Sequence, residues 1–324
     1  MTLGTAGHSL FSDNSNENVQ STDSSERRVL GDMDKNYFKK VKYFLVEKGR
    51  PYIDLTAAEL ILSNQNNDLY SEFPKGAIRR YDEKGTALEP ILFSAKTSQG
   101  QLNNQELHLS NEVSVKVGHS ELNSDQMDIY QNGAQVIAVG NVKTKSLDVK
   151  TRDEISVQSQ KAMFRPNQEY FEYYEKVNGI IKRKRQYEES LTFKTDFLSF
   201  SAPESVMNLK GSVAFNKGNL DIYANNGLVF LENYNKRLKY YALSDDVRLQ
   251  EKLTMGGRPV LRRAFAEKLE GIVSERKIVL TGLPKVFQER DVIKGNRIVI
   301  RENIETVEVD DANTNITLER DKEE

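Results

Sequence analysis

The chain has 324 residues, 46 basic and 48 acidic, and a formal charge of −2. That length allows one large domain or two ordinary ones, and the near-zero balance argues against a nucleic-acid-binding domain. With no cysteine, disulfides, thiolate zinc sites, a catalytic thiol and a lipidated cysteine are excluded. A hydrophobic share of 38%, with Val, Ile, Leu, Phe and Tyr spread along the chain, suits a thin, elongated β structure whose strands each show one face to water.

Residues 1–34 are rich in Ser, Asn, Asp and Glu, with Phe11 the only aromatic, and are expected to be a disordered tail. Met1 to Gln20 have neither the basic nor the apolar region of a signal peptide. No apolar run reaches the roughly 18 residues of a membrane helix. An export signal or anchor is therefore expected upstream or supplied otherwise, if the protein works outside the cytoplasm.

From Tyr37 the period is two. Val113, Val115 and Val117 alternate with Ser114 and Lys116, Met127 and Ile129 flank Asp128, and Leu220 and Ile222 flank Asp221. Ile278 and Leu280, Ile298 and Ile300, and Val307 and Val309 follow. This is the pattern of half-buried strands. Asn132-Gly133, Lys217-Gly218-Asn219, Asn226-Gly227, Gly256-Gly257 and Lys294-Gly295-Asn296 are expected turns. Short spacings favour antiparallel meanders. Lys35 to Lys48 and Pro259 to Gly271 have both helical and alternating spacing; strands are expected there, because the neighbours are strands.

A near-repeat runs through this pattern: a strand ending in an apolar residue, a small or turn residue, then a strand led by Val. Its copies are Leu107 to Val115, Val136 to Val142 through Gly140-Asn141, Leu209 to Phe215 through Gly211, Tyr241 to Leu249 through Asp245-Asp246, and Ile278 to Val286 through Gly282. Each is expected to be a strand, a bend or bulge, and a continuing strand, and only stacked copies bury a continuous apolar surface.

The stretch Ala266 to Ile300, with Leu280-Thr-Gly282-Leu-Pro284-Lys-Val286-Phe-Gln288 and Ile293-Lys-Gly295-Asn-Arg-Ile298, resembles the OstA-like repeat of the LptA/LptC lipopolysaccharide-transport proteins. Residues 35–165 resemble an LptC-like β-jellyroll domain, through Tyr52 to Ala57, Ala95, Leu107 to Val115 and Val139 to Val142. Residues 166–312 resemble an LptA-like one, and 313–324 form a charged tail. The resemblance implies an all-β, V-shaped antiparallel jellyroll, or taco, whose two facing sheets form an open apolar groove. It also implies a non-enzymatic periplasmic protein, of a kind that can be tethered to the inner membrane. Such a protein shields acyl chains in an inner-to-outer membrane bridge. Implied partners are lipopolysaccharide or a related glycolipid, other Lpt-type jellyrolls joined by edge strands, and an inner-membrane ABC transporter complex. The aromatic and charged stretch 168–189 is not accounted for by the family pattern.

Residues expected to line the lipid groove are Val113, Val115, Met127, Ile129, Val213, Phe215, Leu220, Ile222, Ile278, Leu280, Ile298 and Ile300; the bland alternative is an ordinary sandwich core. Lys182, Arg183, Lys184 and Arg185 are candidates to pair with lipid phosphates, against a solvated charge run. Tyr170, Phe171, Tyr173 and Tyr174 form an aromatic cluster. His8, His108 and His119 have no metal-ligand spacing, and His108 is expected to face away from Leu107 and Leu109. No catalytic or cofactor motif is present, and neither a cofactor nor a nucleic-acid partner is expected. The rival functions are an envelope scaffold with a filled β core, or a β-rich enzyme acting on polysaccharide.

Overall fold

The structure, a computed structural model, describes residues 8–11, 35–47, 49–63, 68–82, 84–101, 106–147, 152–184, 189–232, 237–255, 257–302, 304 and 307–310. In chain order the strands are β1 (His8–Phe11), β2 (Lys35–Glu47), β3 (Arg50–Ser63), β4 (Asp68–Glu72), β5 (Lys75–Ile78), β6 (Ile91–Ser94), β7 (Thr97–Gln101), β8 (Glu106–Val117), β9 (Ser120–Tyr130), β10 (Gln135–Leu147) and β11 (Glu154–Arg165). They continue with β12 (Tyr170–Lys182), β13 (Leu191–Ser201), β14 (Val206–Lys217), β15 (Leu220–Leu231), β16 (Leu238–Met255), β17 (Arg258–Ile272), β18 (Lys277–Thr281), β19 (Lys285–Gln288), β20 (Asp291–Lys294), β21 (Arg297–Arg301) and β22 (Val307–Asp310). Single 3-10 turns occupy Gln131–Gly133, Pro166–Gln168 and Val273–Glu275, and the described residues hold no α-helix. Both ambiguous segments, in β2 and β17, are strands. So is part of the expected tail: β1 pairs antiparallel with β2 from His8↔Leu45 to Phe11↔Lys42. The tail 313–324 and Arg185 lie outside the described residues.

The chain forms two compact units, Met1–Thr144 with Met163–Asn167, and Lys145–Ala162 with Gln168–Glu324. Relative to the expected boundary at 165/166, Lys145–Ala162 groups with the second unit.

The long strands are folded across their middles. Pairing register slips between Ser110 and Val113, Tyr174 and Val177, Lys210 and Val213, and Ser244 and Val247. At each slip two successive residues have positive φ: Asn111-Glu112, Glu175-Lys176, Gly211-Ser212 and Asp245-Asp246, with equivalent pairs at Gly140-Asn141 and Gly282-Leu283. Left-handed backbone is disfavoured for most L-residues and easiest for Gly, Asn and Asp, which fill seven of these positions. The Val after the corner faces a small residue on the next strand: Val113↔Ser124, Val177↔Thr195, Val213↔Ala224 and Val247↔Ala266. Small partners leave room for the bend. At the third, Thr195 Oγ1 donates to the carbonyl of Lys210 at 2.8 Å, holding a backbone acceptor at the corner. Past the bend the two halves of a strand belong to facing layers. Phe215, in the second half of β14, stacks at 4.9 Å on Tyr241, in the first half of β16.

Two expectations change here. Asn226-Gly227 is not a hairpin turn but lies inside β15, at its own register slip. A Cβ at Gly227 would come within 3.0 Å of Leu243 and 3.2 Å of Leu209, so the glycine gives room to the interior. The unexplained stretch 168–189 contains a further copy of the repeat, β12, bent at Glu175-Lys176. Its corner contains neither Gly nor Asn, so no turn residue marks it in the sequence.

Candidate functional site

In each unit the interior between the layers is apolar. Val113, Val115, Met127, Ile129, Val213, Phe215, Leu220, Ile222, Ile278, Leu280, Ile298 and Ile300 all point into it, none more than 2% exposed. They meet in cross-strand pairs such as Phe215↔Ile222, Ile278↔Ile300 and Leu280↔Ile298. Burying each such side chain stabilises by about 1.5–3 kcal/mol. Tyr43, Leu55, Leu69 and Phe93 in the first unit and Phe193 and Leu243 in the second are buried likewise, and the candidate groove set does not include them. Leu69 and Phe93 sit on strands of five and four residues, too brief to show alternation. The usable signal is the small residue that pairs with each corner Val.

Away from the corners, at the hairpin end of β14 in the second unit, the buried lining turns polar. Lys217 Nζ lies 2.5 Å from Glu302 Oε2 and 3.7 Å from Glu189. The Tyr241 hydroxyl donates to Glu302 Oε1 at 3.4 Å. Burial pushes the Tyr241 phenol well above its ordinary range, and the charge of Glu302 adds to this. Arg262 and Glu251 form a fully buried ion pair at 3.0 Å. The same guanidinium donates to Gln288 Oε1 and to the carbonyl of Ile304, both at 2.8 Å. Glu302 and Ile304, just after β21, are thus held by side chains of β14, β16 and β17. The contacts to Glu302 and Ile304 are not visible in the sequence, because their partners are 42 to 85 residues apart.

The basic run is divided. Arg183 is committed to Asp153 at 2.8 Å, both side chains nearly buried, and the Lys184 amide donates to the same carboxylate. Lys182 and Lys184 are exposed. The aromatic cluster is shared between faces of β12. Tyr173 is buried, while Tyr174 packs on Phe197 at 5.2 Å and Phe171 stacks on Phe200 at 6.4 Å.

His108 faces away from buried Leu107 and Leu109, as its alternation implied. Its Nδ1 meets Asp128 Oδ1 and its Nε2 lies 2.9 Å from Ser110 Oγ. This order resembles a charge relay, but β8 is paired on both sides over His108 and Ser110, leaving no backbone N–H pair to hold an oxyanion. The group is a surface hydrogen-bond network. His119 is exposed in the β8–β9 turn. Among the described residues no group of three or more His, Cys, Asp or Glu could hold a metal.

Residues 194–306 match the family described as LptA/(LptD N-terminal domain) LPS transport protein. No curated protein matches the chain in sequence. Among solved structures, the crystal structure of LptH, the LptA homologous periplasmic component of the conserved lipopolysaccharide transport device from Pseudomonas aeruginosa, aligns at 14% identity with a TM-score of 0.36. That alignment covers 40% of this chain and 95% of LptH. The family match lies within the second unit and spans three of its corners, so this part of the chain is similar to the LptA/(LptD N-terminal domain) family of lipopolysaccharide-transport proteins.

Proposed function

We propose that the protein is a non-enzymatic periplasmic carrier that shields the acyl chains of lipopolysaccharide, or a related glycolipid, between its two β layers. It forms part of an inner-to-outer membrane bridge. In this reading the first unit is an LptC-like counterpart of the second. Free strand edges dock other jellyrolls of the same kind, and an inner-membrane ABC transporter complex delivers the lipid. The observation that carries the reading is the apolar interior row, present in both units, together with the family match over the second. Each acyl CH2 kept from water is worth about 0.8 kcal/mol, so such a lipid needs a shielded path. In this reading Lys182 and Lys184, the exposed cations of the basic run, pair with headgroup phosphate.

A photoreactive residue at Phe215, Ile222, Leu280 or Ile300 tests this, with outward apolar controls at Tyr223 and Phe265, both more than 40% exposed. Adducts with lipopolysaccharide are expected at the inward set only. A folded protein with no inward adducts overturns the carrier reading. It would favour the second reading, a scaffold with a filled core, which the complete burial of the same residues supports.

A further inference from the structure

The polar row of the second unit has an apolar sister in the first. In the first unit β3 pairs with β2, with β4 and β5, and β5 with β6; in the second β17 pairs with β16, with β18 and β19, and β19 with β20. Matching registers align the row Leu45–Ile53–Ile78–Ile91 with the row Glu251–Arg262–Gln288–Asp291. The first row is aliphatic throughout; the second holds a fully buried ion pair. A packed apolar row is at least as stabilising as a buried ion pair, so stability alone does not explain the polar one.

The polar row continues through Leu220 to Lys217 on β14. There the Lys217 ammonium and the Tyr241 hydroxyl converge on one carboxylate, Glu302. Two converging donors, one cationic, form an anion site. Directly beneath is the Phe215–Tyr241 stack and the apolar interior. The carboxylate enters on a short segment after β21. The Glu302 amide donates to the Arg276 carbonyl at 2.9 Å, and the Ile304 carbonyl accepts from Arg262.

We propose that Lys217 and Tyr241 bind the phosphate of an acylated ligand, and that Glu302 occupies this site as the chain's own stand-in until the ligand displaces it. The acyl part of this assignment rests on the carrier reading above. Glu189, 3.7 Å from Lys217 and half exposed, remains as a partner for the cation when Glu302 leaves.

Equilibrium dialysis of the full chain with dodecyl phosphate, dodecyl glucoside and inorganic phosphate tests this. Glu302→Gln is expected to bind dodecyl phosphate at least about tenfold tighter than the wild type, since a charge-assisted competitor is removed. It should leave dodecyl glucoside binding unchanged. Lys217→Met/Glu302→Gln should lose the gain. Unchanged dodecyl phosphate affinity in Glu302→Gln, with dodecyl glucoside still bound, overturns the site and leaves the carrier reading standing. Binding of neither alkyl probe to any variant removes both. An equal gain for inorganic phosphate shows a free-anion site and overturns the amphiphile assignment. In the wild type itself, dodecyl phosphate and not dodecyl glucoside should accelerate amide exchange at Glu302; unchanged exchange with the probe bound overturns the displacement.

Discussion

The folded-over strand sets β3–β7 and β17–β21 share a backbone plan but distribute bulk and charge differently. At one register position the first set has Leu55, Gly76 and Phe93 across three strands, and the second Ala264, Val286 and Ile293. Glycine in the middle of the first row admits the Phe93 ring; Val286 in the second is admitted by Ala264. Both sets bend through an exposed residue of positive φ followed by proline, Phe73-Pro74 and Leu283-Pro284. Their next connections differ in length. Twelve residues, 79–90, join β5 to β6, and Arg80 donates from there to the Glu89 carbonyl and, at 3.0 Å, to Asn167. Only Glu289-Arg290 joins β19 to β20. The same strand topology thus accepts an aliphatic or an ionic rim, provided each row's total volume is kept and each buried charge has a partner.

The largest effect should come from breaking the volume trade in the first set. A Cβ at Gly76 would lie 2.1 Å from the Asp54 carbonyl oxygen and 2.8 Å from Phe93. Gly76→Val is expected to cost about 4 kcal/mol or more and to unfold the first unit, measured by urea melting. The reverse exchange, Val286→Gly, leaves a cavity and should cost about 2–3 kcal/mol.

Next comes the rim charge. Arg262→Met strands Glu251 without its buried partner and is expected to cost about 3–5 kcal/mol. Transplanting the first set's chemistry, Glu251→Leu/Arg262→Met/Gln288→Ile, should restore or exceed wild-type stability in the same melts. A transplant as damaged as the single variant would mean that the two rims are not interchangeable.

Alkaline titration should act on both units. Burial raises Tyr43 in the first to about 12, and burial with the Glu270 hydrogen bond raises Tyr240 in the second to about 12. A phenol held neutral in the fold but free to ionise when unfolded contributes stability that is complete below pH 10 and lost as pH rises to about 12. Denaturation midpoints should fall over that window, and Tyr43→Phe should flatten the fall.

The smallest effect belongs to the corners. Leu283 has φ of 53° and is 80% exposed, so Leu283→Asn removes little packing and suits the left-handed region better. A gain of a few tenths to about 1 kcal/mol in thermal melts is expected, and Phe73→Asn should behave alike.

How far each part could be read from the residues depends on the range of its interactions. Period-two alternation marked Val113 to Val117 and Ile278 to Leu280 as strands, because in a pleated chain neighbouring side chains point to opposite faces. The bends at Gly140, Gly211 and Gly282 were readable because left-handed backbone favours glycine. At Glu175-Lys176 the same bend uses ordinary residues, and nothing local announces it. Asn226-Gly227 misled in the opposite sense: its glycine answers crowding by Leu209 and Leu243 rather than a turn.

By itself, then, the sequence determined an antiparallel all-β chain, many of its inward apolar positions and most of its corners, since these depend on neighbours one to four residues apart. The tertiary structure alone decided that Arg183 is spent on Asp153, that His108 joins Asp128 and Ser110 on the outer face, and that Glu302 reaches Lys217. Those contacts join residues distant in the chain, and whether a charge meets its partner there depends on how the layers bring the strands together.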